Sequence, residues 1–375
     1  MIIVPALSLL IKPASSNCNL KCKYCFYHSI AETRRTKSYG LMDINTLELI
    51  VKKALNYSEH VCTFAFQGGE PTLVGLEFYK KLIEFEEKYN VNSVKITNVV
   101  QTNGILINEE WSKFLSQNNF LVGISLDGPK DIHDSNRVDD NNKGTFKKVM
   151  NAISLFNKYK VEYNVLCVVN AYVARHPKKV YEFFKMNKIN YLQFIPCIDP
   201  LNEESNSYKY SLKPSRYTYF LNSTFDLWYN DICEGNAISI RYFDNLVSMF
   251  MGYRAEACGM SGLCECQFVI EADGGVYPCD FYVTDKWLMG NIKDMNIEEL
   301  YSSEQAKTFI NCSKHINSKC IGCKWYNLCK GGCRRLREPF SNEKPGLNRY
   351  CLSFEEFLEY SHERLGSLAR KFSVK

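Results

Sequence analysis

The chain has 375 residues, of which 46% are hydrophobic and 23% are charged. That balance is typical of a folded globular protein rather than a disordered or fibrous one, and the length predicts two or three domains. The net charge of +5 is small for this length and the basic residues are scattered, so no nucleic-acid partner is indicated. No stretch approaches the roughly 20 apolar residues of a membrane-spanning helix, so no membrane partner is expected.

Up to about residue 235, short β-rich runs alternate with helical segments. Strands are predicted at 2–11, 61–66, 94–100, 121–127, 161–169 and 191–196. Helices are predicted near 44–57, 75–89, 109–118, 144–159 and 177–187, behind start signals at Asp43, Asn108 and Gly144-Thr145. This alternation predicts an α/β fold with a mostly parallel sheet and right-handed crossovers. Six such units are too few for a complete eight-fold barrel, so we expect a partial (β/α)6 TIM-like barrel, open at one side.

Polar and glycine-bearing segments follow the predicted strands. A group of cysteines follows the first strand, QGGEP (67–71) the second, QTNG (101–104) the third and DGP (127–129) the fourth. In sheets of this kind the chemistry lies in the loops at the carboxyl ends of the strands. We therefore expect the functional residues of the barrel to lie along one rim.

Beyond residue 235 the cysteine density rises, and helical periodicity becomes intermittent until a final segment near 353–372. We predict a barrel over 1–235 and a smaller cysteine-rich domain with a C-terminal helix over 236–375. The chain has seventeen cysteines, an odd number, and is larger than most disulfide-stabilised secreted proteins. Clustered cysteines in such a chain indicate metal or cluster ligands and a cytoplasmic protein.

Three cysteines, Cys18, Cys22 and Cys25, stand within eight residues. Three thiolates on a four-iron cluster leave one iron without a protein ligand, and an open position marks a catalytic metal site. The amino and carboxylate groups of a methionine moiety can chelate that iron. A zinc site is the alternative, but zinc sites usually pair CxxC with further Cys or His residues, and here only His28 is near.

This spacing resembles that of the radical S-adenosylmethionine (SAM) superfamily, and QGGEP resembles the glycine-rich segment of that family. The resemblance implies that Tyr24 packs near the SAM adenine, that backbone around Gly69 pairs with the methionyl amino group, and that Ile198 contacts the adenine. Arg137 offers a fork of donors suited to the SAM carboxylate, and Ser125 is expected to bind a ribose or carboxylate oxygen. Without the resemblance, a solvated loop arginine and a strand-end serine would be the ordinary interpretation.

Ten further cysteines occupy the last third of the chain. Their spacing resembles the SPASM extension, a C-terminal domain of radical SAM enzymes that mature peptides and proteins. The resemblance implies two auxiliary clusters, the first held by Cys258, Cys264, Cys279 and Cys333 and the second by Cys320, Cys323, Cys329 and Cys351. Full thiolate ligation leaves no open iron, so these clusters are expected to store or pass electrons. A pair of structural zinc ribbons is the alternative.

Six cysteines belong to none of these three predicted ligand sets, and they lie mostly in strand or helix patterns. We interpret them as small buried apolar residues, at positions 62, 167, 197, 233, 266 and 312.

The segments PASSNCNLKCKYCFYHS, FAFQGGEPTL, SLDGP, YPCDFYV and KGGCRR resemble the anaerobic sulfatase-maturating enzymes, over about residues 7–365. Those enzymes oxidise a cysteine or serine in a Cys/Ser-x-Pro/Ala-x-Arg motif of a sulfatase to Cα-formylglycine. The resemblance implies three [4Fe-4S] clusters, SAM, an unfolded or nascent sulfatase polypeptide as substrate and a flavodoxin- or ferredoxin-like electron donor. Both substrate types share these ligands, so the prediction covers both, and we expect a monomer.

The resemblance also implies a mechanism. A 5′-deoxyadenosyl radical from SAM removes a hydrogen atom from Cβ of the substrate, after which one electron and one proton must leave. Asp280, directly after Cys279, holds the position of the family's base; an Asp that caps the turn after Pro278 is the ordinary alternative. Tyr27 and Gln67 flank the cysteine loop and the glycine segment, so they are predicted substrate contacts, with simple packing as the alternative.

Two rival functions remain at this point. A SPASM maturase that crosslinks or trims a ribosomal peptide often carries an additional N-terminal domain for a leader peptide, and the short segment before Cys18 argues against that route. A zinc-bound interaction module without redox chemistry is the other rival, and it predicts a colourless protein that contains zinc and no iron.

Overall fold

The computed structural model describes residues 6–201, 207–236, 238–341 and 344–373. The chain forms two compact units, each assembled from separate segments. The first unit contains the described residues up to Ser125, Arg137–Tyr163 and Glu265–Phe309; the second contains Leu126–Asn136, Asn164–Cys264 and the residues from Ile310 onward. The boundary near residue 235 between a barrel and a cysteine-rich domain stays a prediction.

The described residues contain ten strands. They are β1 (Leu7–Ile11), β2 (Val61–Phe66), β3 (Lys95–Thr102), β4 (Leu121–Ser125), β5 (Glu162–Val169), β6 (Tyr191–Pro196), β7 (Ser239–Ile240), β8 (Val269–Ile270), β9 (Gly275–Tyr277) and β10 (Gly290–Asn291). All six strands predicted from the sequence are present, except that residues 2–5 of the first lie outside the described residues.

The same residues contain thirteen α-helices. They are α1 (Phe26–Glu32), α2 (Ile44–Tyr57), α3 (Leu76–Tyr89), α4 (Glu109–Gln117), α5 (Lys130–His133), α6 (Phe146–Tyr159), α7 (Pro177–Met186), α8 (Pro214–Cys233), α9 (Arg241–Phe250), α10 (Ile297–Tyr301), α11 (Glu304–Ser313), α12 (Tyr326–Cys329) and α13 (Cys351–Ser373). Among them, no helix is both long and apolar enough to cross a membrane.

Side chains at the predicted helix starts explain where helices begin. The Asp43 side chain accepts a hydrogen bond from the Thr46 amide at 2.8 Å, and Asn108 accepts one from the Trp111 amide at 2.9 Å. Each satisfies a backbone donor that has no partner within its helix. Thr145 precedes α6 without such a bond, and its hydroxyl donates to the backbone carbonyl of Arg137 at 3.1 Å.

In the first unit the strands lie in the order β10-β9-β8-β1-β2-β3-β4. Strands β1 to β4 are parallel, with Ile11 opposite Phe66, and β8 is also parallel to β1. Strands β8, β9 and β10 are joined in antiparallel fashion. The carboxyl ends of β1 to β4 therefore meet at one edge, and the segments from Lys12, Gln67 and Asn103 continue from that edge.

The second unit contains a parallel sheet in the order β5-β6-β7. An aromatic cluster joins α8, α9 and α13: the Phe225 ring lies 5.6 Å from those of Trp228 and Phe357 and 5.4 Å from that of Phe243. Burial of rings in such contacts is a major source of stability. The predicted α/β fold with parallel strands is thus confirmed.

The six cysteines interpreted as buried apolar residues differ in how deeply they are buried. Four are buried, at positions 62, 167, 197 and 312. For Cys233 the interpretation is wrong, because this residue ends α8 and is exposed. Cys266 is only half-buried, with its sulfur 3.7 Å from that of Met289.

Candidate active site

The cysteine loop follows β1 in the first unit. Backbone bonds fold it: the Cys25 amide donates to the Cys22 carbonyl at 3.1 Å, and the Leu20 amide donates to the Cys18 sulfur at 3.4 Å. The side-chain amide of Asn103, after β3, lies 3.7 Å from the same sulfur. Donors directed at a sulfur atom favour its anionic form, which is the form that ligates iron. Burial nevertheless raises the pKa of the Cys18 thiol to about 12, and the Leu20 amide opposes that rise. The role of Cys18, Cys22 and Cys25 as cluster ligands stays a prediction.

The glycine segment after β2 lies directly against this loop. The Gly69 amide donates to the Ser15 carbonyl at 2.9 Å. A Cβ atom at Gly69 would lie 1.9 Å from the carbonyl oxygen of Asn17, so only glycine fits. Gly68 has a φ of +126°, which side chains rarely adopt. The close approach at Gly69 is therefore to the backbone of the cysteine loop itself, and contact of this segment with SAM stays a prediction.

Glu70 fixes the other side of the glycine segment. It is 1% exposed and accepts hydrogen bonds from the Thr72 hydroxyl at 2.6 Å, the Thr102 hydroxyl at 2.7 Å and the Asn103 amide at 2.8 Å. Burial raises the pKa of this carboxyl group, and the hydrogen bonds oppose the rise. Glu70 joins the ends of β2 and β3, and its role was not predicted.

The residues predicted to bind SAM fall into two groups. In the first unit, the Arg137 guanidinium lies 5.5 Å from the centre of the Tyr24 ring, and Ser125 ends β4. Arg137 is 7% exposed, so it is not the solvated loop arginine of the ordinary interpretation. Ile198 belongs to the second unit, where it is half-buried just after β6.

Tyr27, Gln67 and Asp280 form one hydrogen-bonded group, also in the first unit. The Tyr27 hydroxyl donates to Oδ2 of Asp280 at 2.5 Å, the Gln67 amide donates to the same oxygen at 3.1 Å, and Gln67 also bonds to the Tyr27 hydroxyl. The Asp280 carboxylate therefore bonds to two side chains instead of capping the turn that it begins. Its Oδ1 atom is buried and has no hydrogen-bond partner among the residues that the structure describes.

A buried network of charges, not predicted from the sequence, lies beside Tyr27. The Lys12 ammonium is 3.2 Å from Oε1 of Glu271 and 4.7 Å from the centre of the Tyr27 ring, and the Arg34 guanidinium is 2.6 Å from the same Glu271 oxygen. Burial alone would raise the pKa of Glu271, but the two cations bring it below its ordinary value. Lys12 and Tyr27 likewise oppose the rise that burial imposes on the pKa of Asp280. The feature of the sequence that could have revealed this network is Lys12, a lysine directly after an apolar strand.

The predicted ligands of the second auxiliary cluster lie together in the second unit. One cavity of about 420 Å³ is lined by all four of them, Cys320, Cys323, Cys329 and Cys351. Burial raises the pKa of the Cys329 thiol to about 11, and the three neighbouring thiols add to the rise. Four thiols around one cavity are a donor set that suits an iron–sulfur cluster, which is larger than a single metal ion.

Three predicted ligands of the first auxiliary cluster, Cys258, Cys264 and Cys333, also belong to the second unit. A Cβ atom on Gly259 would lie 3.7 Å from that of Cys333, so the Cys258 loop and Cys333 are neighbours. The Cys264 amide donates to the Ser313 hydroxyl at 2.9 Å. The fourth predicted ligand, Cys279, lies in the first unit, directly before Asp280.

Comparison with known proteins then identifies the family. The Radical SAM superfamily profile matches residues 13–184, and the SPASM profile, an iron-sulfur cluster-binding domain, matches residues 263–324. The cysteine-type anaerobic sulfatase-maturating enzyme of Clostridium perfringens is 55% identical over 98% of this chain and 99% of its own length. The chain belongs to the anaerobic sulfatase-maturating enzymes.

Other members of the family support this assignment. The cysteine-type enzyme of Clostridium novyi is 51% identical over 99% of both chains, and the serine-type enzyme of Bacteroides thetaiotaomicron is 31% identical over 94% of this chain and 89% of its own. The solved structure of native anSMEcpe with bound AdoMet and Cp18Cys peptide matches with a TM-score of 0.95 and 54% identity, over 98% of this chain and 100% of that one. The predicted radical SAM fold with a SPASM domain, and the predicted enzyme family, are confirmed.

Proposed function

We propose that this anaerobic sulfatase-maturating enzyme oxidises the cysteine of a Cys-x-Pro/Ala-x-Arg motif in a sulfatase to Cα-formylglycine. The observation that carries the proposal is the Tyr27–Gln67–Asp280 group, which leaves one buried carboxylate oxygen with no hydrogen-bond partner among the described residues. Cysteine rather than serine is favoured because the cysteine-type relatives are 51–55% identical to this chain and the Bacteroides serine-type relative 31%.

The cofactors follow from the cysteine sets. Cys18, Cys22 and Cys25 would hold a [4Fe-4S] cluster with one iron left for SAM, and the two sets of four cysteines would hold two further clusters. When bound, the first cluster and SAM supply the removal of a hydrogen atom from substrate Cβ, and the auxiliary clusters supply an acceptor for the second electron. Backbone around Gly69, with Tyr24, Ser125, Arg137 and Ile198, would orient SAM.

The chain's own chemistry in this reaction is proton removal by Asp280. Its Oδ1 would take the proton that leaves the substrate sulfur as the thioaldehyde forms, and water then converts the thioaldehyde to the aldehyde with release of hydrogen sulfide. Tyr27 and Gln67 hold Oδ2, so the carboxylate keeps one orientation throughout. Because Asp280 is 6% exposed, bulk water has little access to the transferred proton.

The remaining partners are proposals of the same kind. The substrate would be an unfolded or nascent sulfatase polypeptide, and the first cluster would be reduced by a flavodoxin- or ferredoxin-like protein. The enzyme is proposed to act as a cytoplasmic monomer.

The experiment combines a variant with two peptides. Reconstituted enzyme is incubated anaerobically with SAM, a reductant and peptides that contain CxPxR or SxAxR, and mass spectrometry detects the aldehyde. The CxPxR peptide is expected to react. The Asp280→Asn variant should retain its iron and SAM cleavage but lose aldehyde formation, whereas a wild-type yield from it would remove Asp280 from the mechanism. If neither peptide reacts although wild-type enzyme cleaves SAM, the substrate proposal is wrong, and a peptide-crosslinking maturase becomes the better interpretation.

A further inference from the structure

Arg337 is a buried cation in the second unit. It is 5% exposed, and its guanidinium donates to two backbone carbonyls, that of Gly262 at 3.3 Å and that of Ser313 at 3.5 Å. Within the described parts of the chain it forms no ion pair with a carboxylate, and its Nε has no hydrogen-bond partner. By contrast, the Arg349 guanidinium lies 2.6 Å from the Asp199 carboxylate. A buried charge without a counter-charge is strongly destabilising, so we expect an anion near Arg337.

The segments bonded to Arg337 carry cysteines. Gly262 comes two residues before Cys264, and the Ser313 hydroxyl accepts the Cys264 amide at 2.9 Å. Arg337 ends the short 3₁₀ turn Arg334–Arg337, which directly follows Cys333. Arg337 and Cys320 line the same cavity of about 260 Å³. The Arg337 guanidinium therefore lies among segments that carry three predicted cluster ligands, Cys264, Cys320 and Cys333.

Arg337 adjoins predicted ligands of both auxiliary clusters. Its guanidinium bonds to the Gly262 carbonyl, two residues before Cys264, and its turn directly follows Cys333; both cysteines belong to the set predicted for the first cluster. Arg337 also lines a cavity with Cys320, which belongs to the set for the second cluster. One buried cation thus lies beside both sets.

We propose that Arg337 is a shared counter-charge of the two auxiliary clusters and raises their reduction potentials. This inference rests on the cluster ligands of the proposed function. A four-iron cluster with four thiolates is an anion, and its negative charge grows by one when it gains an electron. A fixed cation nearby stabilises the reduced form more than the oxidised form, because their Coulomb energies differ by that one charge. Arg337 would make the clusters better electron acceptors without touching the substrate.

The test measures reduction potentials in the full-length chain. The first three cysteines (Cys18, Cys22 and Cys25) are replaced by alanine so that the auxiliary clusters alone give signals, and a redox titration is followed by electron paramagnetic resonance. Arg337→Met should shift the potentials to more negative values, and Arg337→Lys should keep most of the wild-type value. Lys178→Met is the matched control, because it removes a positive charge of the same unit that is 74% exposed and screened by solvent, and it should leave the potentials unchanged.

Each outcome decides the proposal. Unchanged potentials in R337M at full iron content would overturn it, and so would an equal shift in R337K. If R337M loses its iron while R337K retains it, a counter-charge role is supported; loss of iron from both would show that the guanidinium geometry matters instead. Aldehyde formation by the wild-type enzyme is measured separately, so that an inactive wild type with a shifted R337M potential would reject the proposed substrate and keep this inference.

Discussion

Two donors converge on Oδ2 of Asp280, which leaves Oδ1 as the oxygen that we propose to react. Hydrogen bonds from Tyr27 and Gln67 favour the ionised carboxylate, which burial alone would disfavour. Lys12 acts in the same direction, while its own charge is balanced by Glu271. Burial still leaves the pKa of Asp280 above its ordinary value, so the proposed base depends on these groups to ionise.

Removal of the Tyr27 hydrogen bond tests whether the two carboxylate oxygens of Asp280 have different roles. Tyr27→Phe should lower kcat for aldehyde formation about 10- to 100-fold, because a hydrogen bond to a charged group contributes roughly 1.5–3 kcal/mol. KM for the peptide and the rate of SAM cleavage without peptide should change little. Tyr89→Phe, which loses a comparable 2.7 Å bond to Glu48 on the surface of the same unit, is the control and should keep full activity. If KM rises and kcat is unchanged, Tyr27 is a substrate contact only.

At the scale of elements, the glycine segment after β2 packs so closely against the cysteine loop that a side chain at Gly69 would overlap the loop backbone. Gly69→Ala would place a Cβ atom 1.9 Å from the Asn17 carbonyl oxygen and push the segment away from the cysteine loop. We expect a loss of stability of about 3 kcal/mol or more, together with weaker SAM binding measured by equilibrium dialysis. Gly366→Ala, within α13 and without a comparable overlap, should be tolerated. Normal SAM affinity in Gly69→Ala would show that the segment does not touch SAM.

The packing of α3 on β3 predicts a pH dependence of stability. Glu86 of α3 is buried and accepts from the Asn98 amide of β3 at 3.0 Å, and burial raises the pKa of Glu86 from 4.5 to about 7. Between these values the unfolded chain ionises first, so stability falls as pH rises, by about 3 kcal/mol in total. Glu86→Gln should therefore raise the anaerobic melting temperature more at about pH 8 than at about pH 5. The exposed Glu84→Gln is the control and should show little change at either pH.

Local patterns predicted some elements and missed others. The segment 44–57 is a helix over the predicted range because Asp43 caps it and its apolar residues recur at helical spacing. The 20-residue α8 was not predicted, because its many Tyr, Asn and Thr residues obscure the apolar face. Strands β8 and β10 have two residues each, too few for any alternation to be visible. Their position is set by pairing with partners distant in sequence.

For the molecule as a whole, cysteine spacing and family resemblance predicted the fold and the enzyme family. Asp280 could be suspected because it adjoins a predicted ligand, but its bonds to Tyr27 and Gln67 join three distant segments. Lys12, Arg34 and Glu271 are similar: each is an ordinary charged residue in the sequence, and only the folded chain buries all three together. Spacing identifies ligands on one loop, whereas hydrogen-bond networks between loops require the tertiary structure.

The pairing of β1 with β8 has a consequence for how the protein is made. Leu10 pairs in parallel with Val269, so one edge of β1 stays open on the ribosome until most of the chain has been synthesised. Unpaired strand edges invite aggregation, and contacts between distant residues form slowly. Asp280 and Glu271 emerge with that same late segment, so Tyr27 and Lys12 gain their partners only then. We therefore expect that nascent chains truncated before β8 need chaperones, and that the Tyr27–Gln67–Asp280 group forms only after this late segment has emerged.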